Sequence, residues 1–281
     1  MANSKVIAVL GATGAQGGGL VKSILEDSTS EFKVRALTRN ATSESAKALS
    51  DMGAEVVEVD LDNYESLVKS FSGAYGVYAV TFFWEHFSPE KEISQVESIA
   101  KAAKETGVEH VVWSTLEDTR KWVSLDDESM PTLNEKYKVP HFDGKGEDGN
   151  FTFALPMGEK PLPGIAAEDI GKCAYGVFKA GSKFIGKRIG ITGEIITGKA
   201  MADALGNSIG KQVNYFPVPF DMYRGFDFQG ADDLGNMFQF KHDYNNDFVS
   251  ARSVELSKSL NSSLLDFSGW LEKYQSNIPL E

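Results

Sequence analysis

Residues 6–19 read Val6-Ile7-Ala8-Val9-Leu10-Gly11-Ala12-Thr13-Gly14-Ala15-Gln16-Gly17-Gly18-Gly19. An apolar, β-branched run that stops at a glycine and passes through small residues into Leu20, Val21, Ile24 and Leu25 is a strand turning tightly into a helix. The G-x-x-G-x-x-G spacing of Gly11, Gly14 and Gly17 leaves the backbone bare. A pyrophosphate can then approach it and meet the N–H groups of the helix start, where the helix dipole favours negative charge. Side chains there would block that approach. The position between the first strand and the first helix is the context that separates a dinucleotide site from an ordinary glycine turn. Gly11, Ala12, Thr13, Gly14, Ala15, Gln16 and Gly17 are therefore candidate cofactor-binding residues.

Strand-like runs recur at residues 32–37, 54–59, 76–80 and 110–114, separated by segments with helix signals. In the clearest of these, Ser88 caps a helix with Pro89 at its first position, Ile93, Val96, Ile99, Ala100 and Ala103 form one face, and Gly107 ends it. Leu67, Val68 and Phe71 mark another covering helix. Alternating strands and helices predict an α/β protein with a Rossmann-type, doubly wound parallel sheet. After residue 148 the alternation loosens: a strand is expected at 151–155, a helix at 167–179, a strand at 188–192, and a helix capped by Thr197 running toward Ile209. The expected division is a cofactor-binding domain over 1–150 and a smaller C-terminal α/β subdomain over 151–281, on the substrate or partner side, with some elements returning to the main sheet. The polar stretch 115–133, with Asp126-Asp127-Glu128, reads as a solvated surface loop.

The chain has 281 residues, with 40 acidic against 28 basic and a formal charge of -12. Direct nucleic-acid binding and attachment to anionic membranes, which need Lys and Arg on phosphate, are disfavoured. The single cysteine, Cys173, excludes an internal disulfide framework and fits a reducing compartment, which points to a cytoplasmic address with nuclear residence left open. No apolar run approaches the ~18 residues of a membrane span, and the chain reads as mature from its start. His86, His110 and His242 are scattered without ligand spacing, so no metal site is expected. Cys173 shares a helix face with Ile170, Ala174, Val177 and Phe178 and reads as a buried thiol. The late aromatics Phe216, Phe220, Tyr223, Phe226, Phe228, Phe238 and Phe240 read mainly as core.

The end of the second strand selects the cofactor. An acid there would bind the adenosine ribose of NAD, but the chain has Thr38-Arg39-Asn40. Arg39 can bond a 2′-phosphate and no carboxylate repels it, which favours NADP. Asp60 and Leu61, closing the third strand, are expected beside the adenine.

Five pieces of this sequence together resemble the NmrA-like branch of the atypical short-chain dehydrogenase/reductase superfamily. They are Gly-Ala-Thr-Gly-Ala-Gln-Gly at 11–17, Leu37-Thr38-Arg39-Asn40, Thr81-Phe82-Phe83-Trp84-Glu85, His141-Phe142-Asp143-Gly144-Lys145-Gly146-Glu147, and Gly230-Ala231-Asp232-Asp233-Leu234-Gly235-Asn236-Met237-Phe238. The resemblance spans nearly the whole chain. It implies proteins that sense the NADP(H) ratio and bind protein partners, and it adds Thr81, Phe82 and Phe83 to the cofactor-binding candidates. Reductases of the wider superfamily use a Tyr-x-x-x-Lys pair, and the matching positions here are His141 and Lys145. The lysine is kept, able to hold the nicotinamide ribose, and the phenol is gone. The superfamily's active-site serine aligns with Ser114.

His141 is either a general acid, an imidazole suited to proton transfer near neutrality, or a helix-start histidine packed on Phe142, and the second reading is favoured. Tyr137 is no substitute, because His141 and not a lysine lies four residues on. Against the family pattern, a helix, a strand and the segment over the nicotinamide are missing between Glu147 and Asp148, which would leave the edge of the fifth strand unpaired. The expected function is an NADP(H)-binding redox sensor or regulator acting through protein partners, with an NADPH-dependent reductase of quinones or small carbonyl compounds as the alternative. Weak catalytic candidates for that alternative are His141 and Ser114.

Overall fold

The computed structural model describes residues 4–116, 119–123, 128–129 and 151–278. The strand-and-helix alternation of the first half folds as β1 (Lys5–Val9), α1 (Ala15–Glu26), β2 (Phe32–Thr38), α2 (Glu44–Asp51), β3 (Glu55–Glu58), α3 (Tyr64–Phe71), β4 (Gly76–Ala79), α4 (Pro89–Glu105) and β5 (His110–Trp113). The strands form one parallel sheet in the order β3-β2-β1-β4-β5, with Ile7 opposite Val34 on one side and Gly76 on the other. The expected doubly wound α/β sheet is therefore present. Order reverses between β1 and β4, the switch point at which such sheets bind ligands beyond the carboxyl ends of their strands. Among the described residues β5 pairs with β4 alone, so it stands at the edge of the sheet.

Helix signals were mostly accurate at their ends. Ser88 Oγ accepts from Lys91 N at 3.2 Å, with Pro89 in the first turn of α4. The buried face of α4 is rotated from the expected one: Gln95, Ile99, Ala102 and Ala103 point inward, while Ile93 is 52% exposed. Gln95 is tolerated inside because its Nε2 donates to Asp62 Oδ1 at 2.8 Å, and a satisfied amide costs little to bury.

One compact unit holds this sheet but is not a continuous stretch of chain. It joins Met1–Thr115 to Ala167–Arg188 and Ser257–Ser263, and the second unit takes Leu116–Ala166, Ile189–Leu256 and Leu264–Glu281. A single cut at residue 150 does not describe this division. The reason lies in α5 (Ala167–Lys179), which packs on α1 within the first unit. The two helices approach at backbone contact. A Cβ on Gly171 would collide with Gln16 O and Leu20 N, and one on Gly19 with Glu168 O. Around this crossing Leu20, Val21, Ile24, Ala174 and Phe178 are buried, each large side chain contributing roughly 1.5–3 kcal/mol.

The second unit contains β6 (Phe151–Ala154), β7 (Pro161–Gly164), β8 (Glu194–Thr197), α6 (Gly198–Ile209), β9 (Val213–Phe216), α7 (Phe220–Arg224), α8 (Ala231–Asp243) and α9 (Asn245–Ser250), followed by α10 (Val254–Leu260), which begins in it, and α11 (Phe267–Tyr274). β6 pairs with β9 in parallel and β7 with β8 antiparallel. The strand expected at 188–192 is absent; those residues make one isolated bridge, Ile191 to Ser253. Thr192 Oγ1 donates instead to the carbonyl of Glu194, two residues on, at 2.8 Å, with Gly164 O also within reach at 3.0 Å, and such a local bond competes with a ladder. Part of the stretch expected as a solvated loop is in the core: Val123 is buried with Met157, Tyr223, Leu234 and Phe238. Of the late aromatics, Tyr223, Phe238 and Phe240 are core, whereas Phe216 is 42% exposed.

α8 carries a buried acid. Asp233 is fully buried, neither carboxylate oxygen has a hydrogen-bond partner among the described residues, and burial followed by the charge of Asp232 pushes its pKa up to about 9. The folded state therefore holds a proton on Asp233 at pH values where the unfolded chain has released it. Stability contributed at this position is greatest at low pH and falls as pH rises from the ordinary carboxylate range toward about 9. Asp233→Asn is expected to flatten this dependence, raising the melting temperature at pH 8 relative to wild type more than at pH 5. Equal shifts at both pH values would show that Asp233 is ionised in the fold.

Candidate functional site

β1 hands the chain to α1 through the glycine turn. Gly11 has φ +62°, a left-handed conformation that glycine adopts without strain. Gly14 N donates to Gly11 O at 2.9 Å and Gly18 N to Gly14 O at 2.7 Å. A Cβ on Gly17 would sit 2.7 Å from the carbonyl carbon of Gly11 and 2.9 Å from Leu10 O, so any side chain would break the turn. Ser43, Asn63 and Ser88 cap α2, α3 and α4, but α1 has no side-chain cap and no acid in its first turn. Its first N–H groups are thus left for an anion. This cradle fits a pyrophosphate, and a Cβ would fill it.

The carboxyl ends of the other strands bring Arg39, Asp60, Leu61, Thr81, Phe82, Phe83 and Ser114 to the same edge of the sheet as the turn. Asp60 N donates to Ser66 Oγ at 3.1 Å and Asp60 Oδ1 accepts from Asp62 N at 2.9 Å, which fixes the loop after β3. Asp62 is held below the usual carboxylate range by bonds from Lys91, at 2.8 Å, and Gln95. Thr81 Oγ1 donates to Glu92 Oε1, and His86 Nε2 lies 3.4 Å from Glu92 Oε2. Phe82 is 55% exposed, whereas Phe83 packs edge-on against Trp84 with ring centroids 5.3 Å apart. The exposed guanidinium of Arg39 pairs with Glu85 through Nη1 and Oε1.

Gln16 gains a part that its place in the glycine turn did not suggest. Its Oε1 accepts from Tyr78 OH at 2.9 Å and from Ser114 Oγ at 2.8 Å, tying the first turn of α1 to β4 and to the end of β5. Burial, opposed by a bond with Ser114, pushes the Tyr78 phenol up to about 12. Sequence reasoning missed Tyr78 and Glu85 as site residues. Tyr78 lay inside an expected strand, and Glu85 was quoted only as part of Thr81-Phe82-Phe83-Trp84-Glu85.

His141, Lys145, Tyr137 and the junction of Glu147 with Asp148 lie outside the described residues. Among the described residues no group of three His, Cys, Asp or Glu could hold a metal ion, and no helix is long and apolar enough to cross a membrane. His110 stands at the opposite, amino end of β5, buried, and burial lowers its pKa. Cys173 is buried, its Sγ 3.8 Å from Ser257 O, and burial pushes the thiol up to about 12. Such a thiol is inert.

A parallel sheet with a bare glycine turn at its switch point defines a dinucleotide-binding protein of the Rossmann type. The NmrA-like family model matches residues 3–142 and 139–272, and the chain belongs to that NAD(P)-binding family. The NmrA-like family domain-containing oxidoreductase notA of Aspergillus sp. (strain MF297-2) is 28% identical over an alignment covering 97% of each chain. That alignment runs to 335 positions, more than the 281 residues here, so the relative carries stretches that this chain lacks. Among solved structures, NmrA, a negative transcriptional regulator, is similar in fold at TM-score 0.74 and 19% identity over 99% of each chain, in one complex with NAD and another with NADP. Citrobacter sp. triphenylmethane reductase complexed with NADP(H) matches at TM-score 0.71 and 17% identity, over 96% of this chain and 99% of that one.

Proposed function

We propose that this protein binds NADP(H) and uses the bound cofactor as a regulatory signal, read by a protein partner in the cytoplasm, rather than consuming it on a substrate. In this reading the backbone of Gly11, Ala12, Thr13, Gly14, Ala15, Gln16 and Gly17 receives the pyrophosphate and Arg39 the 2′-phosphate. Asp60 and Leu61 flank the adenine, Thr81, Phe82 and Phe83 border the cleft, and Lys145 holds the nicotinamide ribose. When bound, the cofactor supplies a hydride-carrying nicotinamide. The observation that carries the regulatory reading is the state of the hydroxyls bonded to Gln16 in the glycine turn. Ser114 is engaged by Gln16, and Tyr78 is buried with a pKa pushed up to about 12, far from the near-neutral value that suits a general acid. The position matching the superfamily's tyrosine is His141 here, and the long alignment with the Aspergillus relative supports the reading that family segments are missing.

A reductase of quinones or other small carbonyl compounds is the second reading, favoured by the names of the Aspergillus and Citrobacter proteins. Titration with NADP, NADPH and NAD, followed by NADPH oxidation assays across quinones and aldehydes, separates the two. Tight NADP(H) binding with oxidation at background is expected. Sustained turnover that disappears in His141→Ala would overturn the regulatory reading in favour of catalysis.

A further inference from the structure

The Arg39 guanidinium is not idle in the cofactor-free protein. It carries Glu85 as a counter-ion, although the two residues lie on different strand-to-helix connections, after β2 and after β4. Glu85 is held there by local structure. It closes a short 3-10 turn, Phe83–Glu85, in which Glu85 N donates to Phe82 O at 3.1 Å and Phe87 N to Phe83 O at 2.8 Å. Phe83, Trp84 and Phe87 pack edge to edge, and Phe87 sits at φ +51°, a conformation that a bulky residue adopts only when its surroundings enforce it. Both ends of the segment are fastened to the first turn of α4, because Thr81 and His86 both reach Glu92.

We propose that Glu85 sets the preference between NADP and NAD, by occupying Arg39 until a 2′-phosphate displaces it. This rests on the reading that Arg39 receives the 2′-phosphate of an NADP site. A phosphate offers more charge and more acceptor oxygens than a carboxylate, so NADP exchanges partners at Arg39. NAD, which has a hydroxyl there, leaves the ion pair intact. Against the expectation that no carboxylate repels a 2′-phosphate there, Glu85 repels any phosphate that arrives at Arg39. Lys91, a cation within the field of Glu85, is already bonded to Asp62. The pair therefore subtracts from NADP affinity and leaves NAD affinity untouched.

Calorimetric titration of the full chain with NADP, NAD and adenosine 2′,5′-bisphosphate tests this, in wild type, Glu85→Gln, Glu85→Asp, Arg39→Ala and the Arg39→Ala/Glu85→Gln double variant. Glu85→Gln is expected to bind NADP and the bisphosphate about two- to fivefold tighter, the range for releasing an exposed ion pair, with NAD unchanged. Glu85→Asp keeps the charge and stays near wild type, and the gain vanishes when Arg39 is absent. An unchanged NADP-to-NAD ratio in Glu85→Gln, or a gain that survives in the double variant, overturns the proposal while leaving the NADP site standing. No NADP binding by wild type overturns both.

Discussion

Gly171→Ala is expected to be the most destabilising single-methyl change in the first unit. A Cβ at this position meets Gln16 O and Leu20 N, which are backbone atoms of α1 and cannot rotate away as a side chain would. Relief requires α5 to move off α1, which loosens the packing of Leu20, Val21, Ile24, Ala174 and Phe178. Overpacking a core commonly costs about 1–3 kcal/mol and more where backbone must shift. A loss of about 3 kcal/mol corresponds to a melting temperature lower by roughly 10 °C for a unit of this size. Gly164→Ala serves as the control, because a Cβ there meets nothing within 4 Å. Equal melting temperatures for wild type and Gly171→Ala would show that the helices separate without cost.

Arg39→Ala is expected to have the largest effect on ligand choice. Hydrogen bonds between charged groups contribute about 1.5–3 kcal/mol each, so NADP affinity should fall roughly 10- to 100-fold. NAD affinity should stay within about twofold, since NAD presents no charge at that position. Loss of both cofactors to the same extent would place Arg39 outside the 2′-phosphate site. The variant also removes the partner of Glu85, which is why the comparison is drawn between the two cofactors and not from NADP alone.

The parallel sheet was legible because its strands centre on short β-branched or apolar runs bounded by turn residues, and α2, α3 and α4 carry caps that act through local chemistry. Ser43 illustrates this: its side chain accepts from Ala46 N at 3.2 Å, as a helix starting there requires. β7 escaped notice because Pro161 and Pro163 argue against a strand, yet with β8 as its one neighbour among the described residues the missing donors are not needed. The inward face of α4 was misjudged because Gln95 is held inside by Asp62, and a partner so distant in sequence leaves no periodic trace. The candidate site divides in the same way. Gly11, Gly14, Gly17 and Arg39 follow from local spacing, whereas the Arg39–Glu85 pair joins two connections that meet only in the folded sheet. Ser114 was placed by family resemblance, and its engagement by Gln16 was invisible before folding.

The discontinuity of the first unit bears on how the protein emerges during synthesis. All five strands of the large sheet are made by residue 113, but α5 follows only at Ala167–Lys179 and the last contributing piece at Ser257–Ser263. At ~5–20 residues per second, the nascent sheet waits on the order of ten seconds with the Gly19 side of α1 bare. A ribosome stalled soon after β5 would therefore display an apolar surface, and chaperone demand should peak over that interval of translation.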